Sequence, residues 1–161
     1  MTLEVRRLRD GEWAVLREVR LAALLEAPYA FNSTYADEVT HDDATWRGRL
    51  GEQAWFCAID DARPVGVASG GQLRVPDPDV RTLRSMWVDE AHRGQRVADA
   101  LVGSVAAWAR ADGARVLTLW ALDASTRAHA FYRRVGFSPV ADDQDDLAST
   151  HLAMTRYTLA L

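Results

Sequence analysis

Leu83-Arg84-Ser85-Met86-Trp87-Val88-Asp89-Glu90-Ala91-His92-Arg93-Gly94-Gln95-Arg96-Val97-Ala98 decides how the rest of the chain is read. Its first six residues have the apolar density of a strand, five mostly polar residues turn, and a helix is expected to begin with Gly94. From there Val97, Leu101, Val105 and Trp108 form one helical stripe, which Gly113 closes in a left-handed conformation. The first N–H groups of such a helix have no intrahelical acceptor and point outward. The helix dipole adds partial positive charge to them, and Arg93 and Arg96 add full charges, so the junction has the makings of a phosphate or diphosphate cradle. Gly94 and the small Ala98 would let a ligand approach the backbone closely. The same residues also suit a plain turn with two solvated arginines. The stretch is neither a Walker loop nor a GxGxxG dinucleotide loop.

Working outward, Val5 to Leu8 reads as a first strand, and Trp13, Leu16, Val19 and Ala23 as the buried stripe of a helix ended by Pro28. Ser33 is expected to cap a second, short helix with Tyr35, Glu38 and Val39. Thr40 with Asp43 resembles a capping box for a third helix reaching about Leu50. Ala54 to Ile59 and Val65 to Ala68 form a hairpin around the turn Asp60 to Pro64, and Thr82 to Val88 adds a third strand after Pro76-Asp77-Pro78-Asp79. Beyond the opening stretch come a strand from Arg115 to Leu122 and a helix with Ala128, Phe131, Tyr132 and Val135 on one face. Ser125 is placed to cap that helix and Gly136 to end it. Closing strands follow at Phe137 to Val140 and Leu152 to Leu159, separated by the acidic run Asp142 to Asp146. This order predicts a mixed α/β sheet flanked by helices.

Composition bounds the function. A chain of 161 residues, 48% hydrophobic and 26% charged, fits one domain, residues 1–161, with a sizeable core. A net charge of -4 argues against a nucleic-acid binder, since polyanion affinity needs a basic face. No stretch approaches the roughly 20 apolar residues of a membrane span, and the start lacks a signal-peptide core, so a cytoplasmic protein is expected. The lone Cys57 lies in Trp55-Phe56-Cys57-Ala58-Ile59 and reads as a packed apolar group. His41, His92, His129 and His151 show no metal-site spacing, and no metal is expected.

The stretch 83–98 resembles motif A of the GCN5-related N-acetyltransferase (GNAT) family, whose common form is Arg/Gln-x-x-Gly-x-Gly/Ala. Ser125-Thr126-Arg127-Ala128-His129-Ala130-Phe131-Tyr132-Arg133-Arg134-Val135-Gly136-Phe137 resembles its motif B, Asn-x-x-Ala-x-x-Phe-Tyr followed by Gly-Phe. Two positions depart from the pattern: Arg96 stands at the central glycine of motif A, and Ser125 at the asparagine of motif B. The resemblance implies the GNAT fold, a mostly antiparallel mixed sheet of about six to seven strands, splayed where acetyl-CoA binds. It also implies an acceptor-binding lobe near residues 10–51 and an acetyl-CoA core near 52–140. The backbone of Met86, Trp87 and Val88 would meet the pantetheine arm, and the amides of Gly94, Gln95, Arg96, Val97, Ala98 and Asp99, with Arg93 beside them, the diphosphate. Ser125 would hydrogen-bond the coenzyme or simply cap its helix.

The activity so implied is transfer of acetyl from acetyl-CoA to a primary amine on a small molecule or peptide, by direct attack in a ternary complex. A non-catalytic acyl-CoA-binding module and an acetyltransferase of protein N-termini are the alternatives. A backbone N–H near Met86 or Trp87 would stabilise the oxyanion, and Tyr132 would protonate the coenzyme A thiolate. The family's glutamate positions match Thr82 and Trp120, which carry no carboxylate. The base is therefore expected to be ordered water or a carboxylate of the acceptor lobe such as Glu38, itself equally readable as a solvated helix residue. Phe31, Tyr35 and Trp46 would line an acceptor lid or cover the core. Many relatives pair, so a homodimer is also implied.

Overall fold

The computed structural model describes residues 2–141 and 153–161. Among the described residues seven strands form one mixed sheet in the order β1-β2-β3-β4-β5-β7-β6. They are β1 (Leu3–Arg7), β2 (Ala54–Asp60), β3 (Arg63–Gly71), β4 (Val80–Val88), β5 (Val116–Leu122), β6 (Ser138–Val140) and β7 (Met154–Ala160). The helices are α1 (Trp13–Glu26), α2 (Tyr35–Glu38), α3 (Asp43–Glu52), α4 (Val97–Ala111) and α5 (Thr126–Arg134). The α/β class and mixed sheet expected from the sequence are present. The acidic run 142–146 lies outside the described residues.

The chain divides into two compact units, the first Met1–Gly71 with Leu83–Trp108, the second Gln72–Thr82 with Ala109–Leu161. In the first, β1 pairs antiparallel with β2 and β2 with β3, the latter with a register shift at Ala58/Ile59. Strands β2 and β3 carry continuous buried runs rather than alternation, as sheet strands covered on both faces do. Helix α1 supplies Leu16, Val19, Ala23 and Leu24 to a core shared with Trp46, Trp55, Cys57, Val67 and Trp87. Burial pushes the Cys57 thiol up to about 12, which fits a packed thiol and not a nucleophile. Trp46 is fully buried, so it covers this core. A Cβ on Gly70 would stand 2.5 Å from the Trp108 ring, so the indole of α4 lies against bare β3 backbone there.

In the second unit β4 and β5 run parallel, pairing Val80 with Val116, Arg81 with Leu117 and Thr82 with Thr118. Strand β7 lies antiparallel between β5 and β6. Arg81, 6% exposed, anchors the start of β4 by donating to Asp112 Oδ2 at 2.7 Å and to the Asp112 carbonyl at 3.0 Å. Leu117, Leu119, Phe137 and Tyr157 fill the core.

Three local expectations are corrected. Helix α2 is capped by Thr34, whose hydroxyl accepts from the Asp37 amide, rather than by Ser33. Helix α3 is capped by Asp42, which accepts from Thr45 N at 2.9 Å, while the Thr40 hydroxyl donates back to the Asp37 carbonyl. Helix α4 starts at Val97, not Gly94, because Gly94 (φ 78°) and Arg96 (φ 62°) both hold left-handed conformations that no right-handed helix includes. Among the described residues no helix is long and apolar enough to cross a membrane.

Candidate functional site

In the first unit, β4 ends at Val88 and a single 3₁₀ turn, Glu90–His92, leads into the left-handed pair around Gln95. The turn is started by Asp89, whose carboxylate accepts from the Ala91 amide at 2.9 Å. Gly94, Gln95 and Arg96 are exposed. A left-handed arginine costs roughly 1–2 kcal/mol relative to glycine. Persistence of that cost at an exposed loop is the kind of backbone strain that gathers at ligand-binding turns. Arg96 therefore holds a φ that glycine would adopt without steric cost, and adds a guanidinium there.

The two arginines differ. Arg93 Nε donates to the Val88 carbonyl at 3.0 Å, and its Nη2 is paired with Glu26 Oε1. Glu26 also accepts from Trp87 Nε1, so the end of α1 is tied to β4 through one carboxylate. Arg93 is thus largely committed within the protein, and the Val88 carbonyl, expected to face a coenzyme amide, already accepts from it. The Arg96 guanidinium is exposed and has no hydrogen bond or ion pair among the described residues. Arg96→Ala is expected to weaken acetyl-CoA binding about 10-fold and to flatten its salt dependence, as loss of one charge-assisted contact does. Arg93→Ala should change the salt slope less, and calorimetric titrations at two ionic strengths check both.

Inside β4, Ser85 has φ 57°. A left-handed residue within a strand marks a bulge and turns the following peptide away from the regular ladder. That following amide belongs to Met86, one of the two residues, with Trp87, near which the family resemblance implies an oxyanion donor. Thr82, at one of the positions lacking the family's glutamate, is fully buried and its hydroxyl finds no protein partner among the described residues.

Glu38 is not the solvated carboxylate that a base requires. It is 2% exposed, and its oxygens accept from Arg20 Nε at 3.0 Å, Arg20 Nη2 at 3.0 Å and Arg49 Nη1 at 2.8 Å. Burial works to raise its pKa, but the hydrogen bonds and charges of the two arginines outweigh that and bring it to about 2. Such a group is a far weaker proton acceptor than an ordinary carboxylate. Arg20 was missed in the sequence, although a signal was there. It stands in register with Leu16, Val19 and Ala23 on the buried stripe of α1, and an arginine on such a stripe calls for a buried carboxylate.

In the second unit α5 is preceded by Ser125, whose hydroxyl accepts from Ala128 N at 3.4 Å, so the residue acts as a helix cap. Tyr132 is buried on α5, its ring 5.1 Å from Phe131, 5.7 Å from Phe137 and 6.3 Å from Tyr157. Burial raises its phenol pKa well above the ordinary 10, keeping the proton on oxygen at neutral pH. Its hydroxyl makes no hydrogen bond among the described residues. His129 Nε2 lies 3.0 Å from the Leu122 carbonyl, which requires it to donate, so a neutral His129 accepts from the Tyr157 hydroxyl through Nδ1. No cluster of metal-binding side chains occurs among the described residues.

The sequence pattern of the acetyltransferase (GNAT) family matches residues 16–137. The chain belongs to that family. An uncharacterized N-acetyltransferase of Methanocaldococcus jannaschii is 25% identical over 95 residues, 57% of this chain and 42% of that protein. The chain thus matches less than half the length of that curated relative. Among solved structures, yncA of Salmonella typhimurium, a putative acetyltransferase with its cofactor acetyl-CoA, superposes with TM-score 0.74 at 19% identity, over 100% of this chain and 95% of that one. PaiA N-acetyltransferase of Thermoplasma acidophilum, in complex with coenzyme A, gives TM-score 0.73 at 13% identity, covering 100% of both chains. At these identities the likeness is one of fold. It agrees with the GNAT fold expected from the two motifs.

Proposed function

We propose that this GNAT protein transfers the acetyl group of acetyl-CoA to a primary amine of a small molecule or peptide, by direct attack in a ternary complex. The observation that carries the reading is the exposed left-handed turn at Gly94 and Arg96 leading into α4. In this reading the amides from Gly94 to Asp99, the dipole of α4 and the Arg96 guanidinium, which has no partner among the described residues, hold the diphosphate. The family membership and the coenzyme-bound PaiA and yncA structures support the same ligand.

The chemistry has three requirements. The thioester carbonyl is polarised by a backbone N–H at the β4 bulge, from Met86 or Trp87, and Met86 and Val88 also guide the pantetheine arm. As the tetrahedral intermediate collapses, the carbon–sulfur bond breaks and the Tyr132 phenol supplies a proton to the departing thiolate. The amine must arrive neutral. An alkylammonium of pKa about 10.4 loses its proton to ordered water in this reading, because Thr82 and Trp120 cannot accept one and Glu38 is spent on two arginines. A cytoplasmic location and a homodimer complete the proposal.

The shortage of a carboxylate base specifically favours a second reading, a non-catalytic acyl-CoA-binding module. Thiol release from acetyl-CoA across a panel of small amines and peptide N-termini separates the two. Acceleration by at least one amine is expected, whereas tight acetyl-CoA binding with no amine-dependent release would establish the module. Release restricted to peptides with free N-termini would identify an N-terminal acetyltransferase.

A further inference from the structure

We propose that Arg20 is a positioning residue for acetyl transfer, holding the Ser85 bulge of β4 so that the Met86 amide faces the thioester carbonyl. This rests on the acetyl-CoA reading above. Arg20 Nη1 donates to Ser85 Oγ at 3.2 Å, linking α1 to the one left-handed residue of β4. Serine lacks glycine's freedom at φ 57°, so the bulge needs an outside contact to select it over a regular strand.

Arg20 is built to be that contact. Its Nε and Nη2 grip the Glu38 carboxylate from one edge, its guanidinium lies 4.6 Å over the Phe31 ring, and the residue is 6% exposed. Glu38 is in turn fixed by Arg49, which lies 4.9 Å over the Trp46 ring. With Nε and Nη2 locked on the carboxylate, the guanidinium plane is fixed and so are the directions of the two Nη1 N–H bonds, one of which Ser85 Oγ accepts. A triad serving stability alone would close on itself through Arg20, Glu38 and Arg49. Here a third donor leaves it for the strand that carries the reacting amides. Lysine at position 20 could keep the charge but not reach carboxylate and hydroxyl together in one rigid plane.

The test is a titration of ¹⁵N-labelled protein with acetyl-CoA, following backbone amide shifts in the native chain, Ser85→Ala and Arg20→Lys. In the native chain the Met86 amide is expected to shift downfield with the amides of residues 94–99. In both variants the Met86 shift should fall by at least half while those at 94–99 persist and the dissociation constant stays within about 2-fold. Ser85 is only partly buried, so Ser85→Ala decides the matter should Arg20→Lys fail to fold. A full Met86 shift retained in Ser85→Ala overturns the positioning role. Amides 94–99 that stay still in the native chain overturn the acetyl-CoA reading instead.

Discussion

Tyr132→Phe is expected to lower kcat for the amine found by thiol release by about 10²- to 10³-fold, with acetyl-CoA affinity within about 2-fold of the native protein. The change deletes one oxygen. The ring stays among Phe131, Phe137 and Tyr157, so the packing that positions α5 is kept and stability should hardly move. Burial holds the phenol protonated, which makes it a hydrogen-bond donor over the whole neutral range and ties its loss to the thiolate step. Steady-state rates with calorimetry on the same variant check this. Equal turnover in the two proteins removes the phenol from the mechanism.

The second large effect is on stability. Glu38→Ala should cost about 3–5 kcal/mol, because it strands the guanidinium of Arg20 in the core and leaves Arg49 without its partner. Urea unfolding at pH 7 measures it. Glu38→Gln keeps the volume and one acceptor oxygen and should cost less. The acid side gives an independent check. The Glu38 pKa is lowered from 4.5 to about 2, so in this interval the unfolded chain binds more protons than the folded one, and stability rises with pH. The carboxylate's contribution is complete above about 4.5 and vanishes as pH falls through 2. Glu12, which accepts from Arg6 and from the Arg9 amide, is also lowered to about 2 and titrates in the same window. The difference between the native protein and Glu38→Gln isolates Glu38, and that difference should shrink steadily from pH 4.5 to pH 2. A constant difference across that range contradicts the depressed pKa.

Much of the architecture was readable because periodicity and turn residues act locally. The change from helical spacing before Leu50 to continuous apolar runs from Ala54 located the meander. Helical stripes, an apolar run and glycine stops located α4, β5 and α5 to within a few residues. What the sequence hid depends on backbone conformation or on partners far along the chain. Nothing in the letters Gly94-Gln95-Arg96 says that an arginine takes a left-handed φ, and that single fact moved the start of α4 to Val97 and set Arg96 apart from Arg93. Likewise Glu38 looked like a solvated residue on a four-residue helix. Its partners lie 18 residues before it and 11 after it, and only their convergence shows it to be a structural anion. The arginine on the α1 stripe was the one local clue.

The most direct measurement is a crystal structure of the protein with acetyl-CoA. The account predicts diphosphate oxygens at hydrogen-bonding distance, about 2.7–3.2 Å, from the main-chain amides between Gly94 and Asp99, with the Arg96 guanidinium beside them. A coenzyme seated elsewhere, or that loop refolded so that its amides are paired within the protein, contradicts it.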